Sequence, residues 1–345
     1  MEPLAEPLLQ YPQRSALLEQ ARRSAAHVDA GQISPFTLLQ SIGEIGLLDL
    51  GRSGSLLPMS AVIYDLASEC VASAFSLWGH RMAVAYHDAT GAQLPTGVLE
   101  AERPAASAMA PAFKAAAGIS EIPVLARRVD GGLRISGSIP WASNIYDDAI
   151  VVLPVVEEDG KALIVRTMAG ATGLTVRHLT ELLALNATRS ASLEFQNVFI
   201  RTSDIMTDDV PAFLTSIRKP FLLLQAAFCL GLSAAALNSA ADGLTGVNES
   251  FKPDADVVTE EFRRLQREFI AMAEDPSPPS KLSLLQLRLD SAHLTGAATR
   301  LEAAVVGGRG YQSASATARR LREAAFLPVQ SPTEGHLRWE IQHSQ

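Results

Sequence analysis

Two stretches of the chain combine residue types and spacings that could do chemistry. The first is Gly131 to Pro154, GGLRISGSIPWASNIYDDAIVVLP, where Trp141 and Ser143 stand two positions apart on a bend. An indole and a hydroxyl held on a rigid corner can seat a flat cofactor: the ring packs beside it and the hydroxyl bonds a ring heteroatom. The plainer alternative is a buried Trp and a turn Ser in an ordinary sheet. The second is GGRGYQ, with Gly307, Gly308 and Gly310, followed by ARRLREAA with Arg319, Arg322 and Glu323. Glycines let a helix end approach a diphosphate closely, where free backbone N–H groups favour anions. The alternative here is a helix break with a glycine cap. Beyond it lie Ser331 and Glu334. A serine takes no proton from carbon at neutral pH without an activating base, and a carboxylate in a terminal segment is expected to be solvated.

The elements that must position these groups follow from periodicity. In the first stretch, Leu133, Ile135 and Ile139 alternate with Arg134, Ser136 and Ser138, which predicts a strand. Gly137 predicts a bulge or a close backbone approach, and Pro140 is expected to break the ladder before the bend. Ala149 to Pro154 reads as a second, buried strand, with further strands at Lys161–Thr167 and Ser190–Ile200. Helical spacing predicts helices over Arg14–Ala30, from Ser34-Pro35, and over Met59–Trp78. After the β-rich middle, helices are expected over Pro220–Leu244, Thr259–Ala273, Leu282–Val306 and Ser313–Ala325. Pro220–Leu244 is apolar all round and therefore central to a bundle. The result is an α+β multidomain chain: a helical domain over 1–104, a middle antiparallel β-barrel domain over 105–210, and a helical bundle over 211–345.

The 345 residues are 48% hydrophobic and 19% charged, enough for substantial cores. Net charge is −8 with no long basic block, which argues against nucleic acid or anionic membrane as partners. Cys70 and Cys229 sit in apolar helical patterns and are expected to be buried thiols. No metal-ligand spacing is present, and His80 and His87 read as helix-face residues. The start, MEPLAEPLLQ, has no basic n-region or long apolar run, and no unbroken apolar run of membrane-spanning length is read. A cytoplasmic protein is expected.

The glycine, the spacer and the Trp141-x-Ser143 pair resemble the flavin-contacting strand of the acyl-CoA dehydrogenase superfamily, including its flavin-dependent monooxygenase branch. GGRGYQ with ARRLREAA resembles that superfamily's GG-x-GY and R-x-x-R-D-A patterns, Glu323 taking the Asp position. The resemblance implies an acyl-CoA dehydrogenase-like fold and FAD, with FMN or loss of the flavin left open. Trp141 would pack beside the isoalloxazine and Ser143 would reach its N5/O4 edge, with Ser120, Gly307, Gly308 and Gly310 as further cofactor contacts. A small-molecule or acyl-thioester substrate and a homodimer or homotetramer are also implied. The apolar Pro220–Leu244 and Leu282–Val306 segments offer surface for such assembly.

The chain departs from the family pattern where the catalytic base belongs. Counting on from Arg322-Glu323-Ala324, Ser331 falls at the usual Glu position and Pro332 at the Gly. The alternative base position, on the first bundle helix, falls on or near Phe221. Glu334 is left as the candidate carboxylate. The phosphate-cradling loop is eroded to Gly118 and Ser120, with Lys114 nearby, and Phe251-Lys252-Pro253 is the only echo of the Arg-x-x-Phe-Gly motif. The expectation is a flavin-dependent oxidoreductase without standard α,β-dehydrogenation. A monooxygenase fed by a partner reductase, and a cofactor-free binding or structural protein, remain open beside it.

Overall fold

Helical spacing near the start of the chain produces α1 (Arg14–Asp29), α2 (Phe36–Glu44), α3 (Leu57–Glu69) and α4 (Val71–Thr90) in the computed structural model, which describes residues 8–344. Residues 1–7 of the start, MEPLAEPLLQ, lie outside them. The single helix expected over Met59–Trp78 is divided at Cys70, whose backbone is extended (φ −158°, ψ 108°). Two charged side chains from far along the chain meet the break. Arg319 Nη2 donates to the Glu69 carbonyl at 2.7 Å, and the Val71 N–H donates to Glu323 Oε1 at 3.1 Å. Together they satisfy polar groups at both helix ends, which would otherwise be stranded in the interior.

The middle of the chain gives β1 (Ala105–Ser107), α5 (Ala110–Ala116), β2 (Val124–Val129), β3 (Gly132–Ala142), β4 (Ile150–Glu157), β5 (Ala162–Met168), β6 (Leu174–His178), β7 (Ala191–Arg201) and β8 (Ile205–Thr207). These strands form an eight-stranded sheet in the order β6-β7-β3-β2-β4-β5-β8, with β1 added on β4. Most neighbours are antiparallel, but β1–β4 and β2–β4 are parallel, so the sheet is mixed. The chain leaves β3 by the corner, crosses to the far side of β2 and returns beside it in the same direction.

Both readings of Gly137 hold. A register shift falls between Ile135 and Gly137 against β7, where Asn197 adopts φ 57°. A Cβ on Gly137 (φ 140°) would lie 2.2 Å from the Pro123 carbonyl oxygen. Pro140, by contrast, does not end β3, because a second register shift between Ile139 and Ala142 absorbs it.

The chain then returns to helix: α6 (Val210–Ala241), α7 (Lys252–Glu274), α8 (Lys281–Val306), α9 (Ala316–Ala324) and α10 (Glu334–Gln342). α6 begins ten residues before the expected start and runs through Pro220. The carbonyl that Pro220 leaves without its helical donor belongs to Ser216, on an exposed turn where water can serve it. α6 is long and apolar enough to cross a membrane, yet 89% of its most apolar window is buried inside the chain. It packs against α3 so closely that a Cβ on Gly231 would lie 2.1 Å from the Tyr64 carbonyl oxygen. α6 is thus a core helix, covered by the chain itself, and its apolar surface gives no independent argument for a partner copy.

One apolar cluster joins α1 to α4 with α6 to α8, so the first and last parts of the chain share a core. A second cluster lies within the sheet, built from the alternating residues of β2, β3, β4, β5 and β7. Cys70 and Cys229 are both buried and free, and burial pushes the Cys70 thiol up to about 11.

Candidate functional site

The corner after β3 is held by its backbone and by Asn144. That residue takes φ 63°, which Asn tolerates better than most side chains, and it is almost wholly buried. Its N–H donates to the Thr188 carbonyl at 2.9 Å, and its Nδ2 donates to the Ser76 carbonyl on α4 at 2.7 Å. The corner is therefore pinned both to the β6–β7 connection and to the helical body. Asn144 is the functional-site residue that periodicity alone did not single out; an Asn ending a W-x-S run is the signal that could have found it.

Within this corner the bulge at Pro140–Trp141 turns the indole outward. Trp141 is 58% exposed, unusual for so large an aromatic ring on a strand whose other apolar residues are buried. Ser143 Oγ lies 2.7 Å from Ser190 Oγ, which lies 3.0 Å from Thr188 Oγ1, which donates to the Leu185 carbonyl at 2.8 Å. Each hydroxyl has one proton to give. Since Thr188 gives its proton to a carbonyl, Ser190 must donate to Thr188, and Ser143 must donate to Ser190. The Ser143 oxygen is left as an acceptor with no proton to offer.

A flat cofactor finds a fit at this end: an open indole face, a directed acceptor and a fixed backbone. The other predicted contacts are placed differently. Ser120 is exposed in the connection after α5. Gly307 (φ 67°) and Gly308 are exposed at the end of α8, with open space where a Cβ would stand. Gly310 instead admits Thr317 and Val306, which a Cβ would meet at 2.9 Å, so it serves the packing of α9 onto α8. Lys114 is half-buried near the end of α5, which the sequence reading left as an eroded loop. The diphosphate end therefore lacks a built cradle. Two concavities, of about 540 Å³ beside α1 and α2 and about 270 Å³ beside Tyr146 and His178, include neither Trp141 nor Ser143.

Arg319, Arg322 and Glu323 tie α9 to the first helices. Arg322 bonds Asp29 at the end of α1, while Arg319 and Glu323 hold the α3–α4 break. Burial, the largest effect, pushes the Glu323 carboxyl up to about 7; Arg319 works against it. Glu ionises near 4.5 when unperturbed, so between 4.5 and 7 the folded chain keeps a proton that the unfolded chain has lost. The Glu323 contribution thus falls as pH rises through this window, by about 3 kcal/mol in all. His80 acts in the opposite sense. Burial lowers it to about 4, and it is fixed as a neutral ring that accepts from the Ala105 N–H and donates to the Val98 carbonyl. The measurement is therefore a difference. Glu323→Gln should gain stability relative to the parent as pH rises from 4.5 to 8, read by urea unfolding at each pH. A pH-independent difference would place the titration elsewhere.

Between α4, α5 and α6 the interior is aromatic. Phe113 and Phe221 rings lie 4.4 Å apart, Trp78 and Phe221 5.1 Å, Phe75 and Trp78 5.5 Å, and Phe75 and Phe326 4.9 Å. Trp78 Nε1 donates to the Phe221 carbonyl at 3.3 Å. Ser331 lies in the loop between α9 and α10, its Oγ buried and without a partner and its carbonyl accepting from Gln225 Nε2 at 3.0 Å. Thr333 caps α10, accepting from the His336 N–H at 3.2 Å. Glu334, in the first turn of α10, pairs with Arg338 at 2.7 Å and His293 at 3.2 Å, and these partners lower its pKa. Among the described residues no group of three or more His, Cys, Asp or Glu is disposed to hold a metal ion.

No family model and no curated protein sequence matches this chain. Solved structures do. Butyryl-CoA dehydrogenase from Megasphaera elsdenii superposes with a TM-score of 0.83 at 15% identity, covering 97% of this chain and 98% of that one. A glutaryl-CoA dehydrogenase from Mycobacterium smegmatis in complex with FADH2 gives 0.84 at 13%, over 98% and 95%. The prolyl acyl carrier protein oxidase AnaB gives 0.83 at 13%, over 97% and 99%. At these identities the likeness is one of fold, and it extends over nearly the whole of each chain.

Proposed function

We propose that this chain, which has the acyl-CoA dehydrogenase fold, is a flavin-dependent oxidoreductase that does not abstract a substrate α-proton. The observation that carries the reading is the corner: an outward-facing Trp141 beside Ser143, on backbone fixed by Asn144. Trp141 would give the ring a face to pack on. Ser143, its proton committed to Ser190, would accept a hydrogen bond from a ring N–H. Bound flavin would supply two-electron redox chemistry. FAD is the flavin favoured by the fold's solved relatives, one of which is described in complex with FADH2. The unbuilt diphosphate end leaves FMN as the alternative.

Proton abstraction is left with one weak candidate base, Glu334. Ser331 and Phe221 stand at the positions where a carboxylate would be needed. Glu334 is paired with Arg338 and His293, which makes it a weaker base. The substrate class is an acyl thioester or a comparably sized small molecule, since the fold's relatives include a butyryl-CoA dehydrogenase and a prolyl acyl carrier protein oxidase. A monooxygenase needs no such base, and this reading would require a separate reductase. Assembly as a homodimer or homotetramer and a cytoplasmic setting belong to the same proposal.

A second reading, a cofactor-free protein on this fold, is favoured by the aromatic cluster that fills the space between α4, α5 and α6. The two separate on visible absorption: the purified protein, after incubation with FAD or FMN and removal of free flavin, should keep a flavin spectrum. A colourless protein after both incubations would support the cofactor-free reading. Trp141→Ala should weaken flavin binding by about 1–3 kcal/mol, the scale of one large aromatic contact. Because the indole is largely exposed, folding stability should change by less than about 0.5 kcal/mol. Unchanged flavin retention in this variant would move the ring site elsewhere.

A further inference from the structure

Arg288, on α8, is fully buried, and its acceptors among the described residues are all neutral. Its Nε donates to Gln225 Oε1 at 2.8 Å, and its Nη2 donates to the Leu327 carbonyl and to Gln330 Oε1, each at 3.1 Å. A guanidinium keeps its charge in a protein interior, and a buried charge without a counter-charge is costly. Its Nη1 has no partner among the described residues.

Two further donors in the same cluster are also unmatched. Gln330 is almost wholly buried, and its Nε2, on the amide that already bonds Arg288, has no acceptor. Ser331 follows in the chain; its Oγ is buried and unpaired, and its carbonyl accepts from Gln225. The cluster thus holds one positive charge and three unused donors. Buried polar groups without partners are rare, and each needs a cause. What these donors share is the need for an acceptor, and the uncompensated Arg288 adds the need for negative charge.

We propose that Arg288, Gln330 and Ser331 bind one small monovalent anion, a halide or a carboxylate group, in the interior where α6, α8 and the α9–α10 loop meet. The anion neutralises Arg288 and accepts from the free Nη1, Nε2 and Oγ. It thereby ties the loop to the two core helices. The site includes neither Trp141 nor Ser143.

Bromide is the probe, because it scatters anomalously and has the charge of chloride. In crystals grown in bromide, an anomalous peak is expected beside Arg288 Nη1. In solution at fixed ionic strength, the melting temperature should rise saturably with bromide, or with acetate, relative to gluconate, which is too large to enter. A response to acetate alone would assign the site to carboxylates, and a response to bromide that of halides; either supports an anion site. Arg288→Met removes three buried hydrogen bonds and is expected to cost the fold, so Ser331→Ala is the working variant. It removes one donor and should raise the half-saturating bromide concentration by about tenfold or more. Bromide peaks confined to the surface, with no response to acetate either, would overturn the proposal. So would a melting temperature that depends on neither anion, or Ser331→Ala leaving the response to the stabilising anion unchanged.

Discussion

Supplied with flavin and a saturated acyl-CoA, the protein is expected to desaturate it about two to four orders of magnitude more slowly than an enzyme with a positioned base, the usual contribution of base catalysis. The argument rests on three places. Ser331 Oγ is buried with no hydrogen-bond partner among the described residues, so no side-chain base there draws off its proton. Phe221 offers no base and is committed to packing against Phe113 and Trp78. Glu334 belongs to the first turn of α10, where Arg338 and His293 stabilise its ionised form. The check is anaerobic mixing of the flavin-loaded protein with acyl-CoA, following bleaching of the flavin bands. Ser331→Glu restores a carboxylate and should raise the rate, although the donors of Arg288 and Gln330 would also hold that carboxylate ionised and temper its basicity. Ordinary turnover by the unaltered protein would refute the reading and make Glu334 the first residue to replace.

How much of this was legible in the sequence depended on the range of the interactions involved. β3 was readable because its buried and exposed residues alternate, and Gly137 marked both the bulge and the close approach of Pro123. The bundle helices α6 and α8 were readable from apolar content. What was missed is long-range. Nothing near Cys70 in the sequence announces that a helix ends there; the ends are satisfied by Arg319 and Glu323, about 250 residues away along the chain. In the sequence both residues fall in the stretch that resembles the superfamily's R-x-x-R-D-A pattern, after a glycine-rich break suited to an anion. Pro220 reads as the start of its helix and Pro140 as a break in the ladder, but α6 runs through the first and a register shift absorbs the second. α5 was concealed by Pro111, which sits in its first turn, where proline is tolerated. At the site, the residue types of Trp141 and Ser143 were visible. The direction of the Ser143 proton was not, since it depends on Ser190 and Thr188 meeting the corner from another strand connection.

Phe221→Ala is expected to destabilise the fold by about 3–5 kcal/mol, the cost of removing a packed aromatic side chain and leaving a cavity. Phe221 is 2% exposed, and its ring meets Phe113 from α5 and Trp78 from α4. Its ring neighbours are anchored on two different elements, so they cannot easily collapse into the space. The Trp78 indole is further held by its bond to the Phe221 carbonyl, which the substitution keeps. Against a total stability of about 5–15 kcal/mol, the variant should still fold at low temperature. The space opened is apolar and should stay dry, so it should take a small apolar ligand. Thermal unfolding with and without benzene reads both effects: a large fall in melting temperature for the variant, partly recovered by benzene, with no response in the parent. A loss below about 1 kcal/mol would mean that the aromatic cluster relaxes around the gap. It would also remove the reason for regarding the interior between α4, α5 and α6 as closed to a substrate chain.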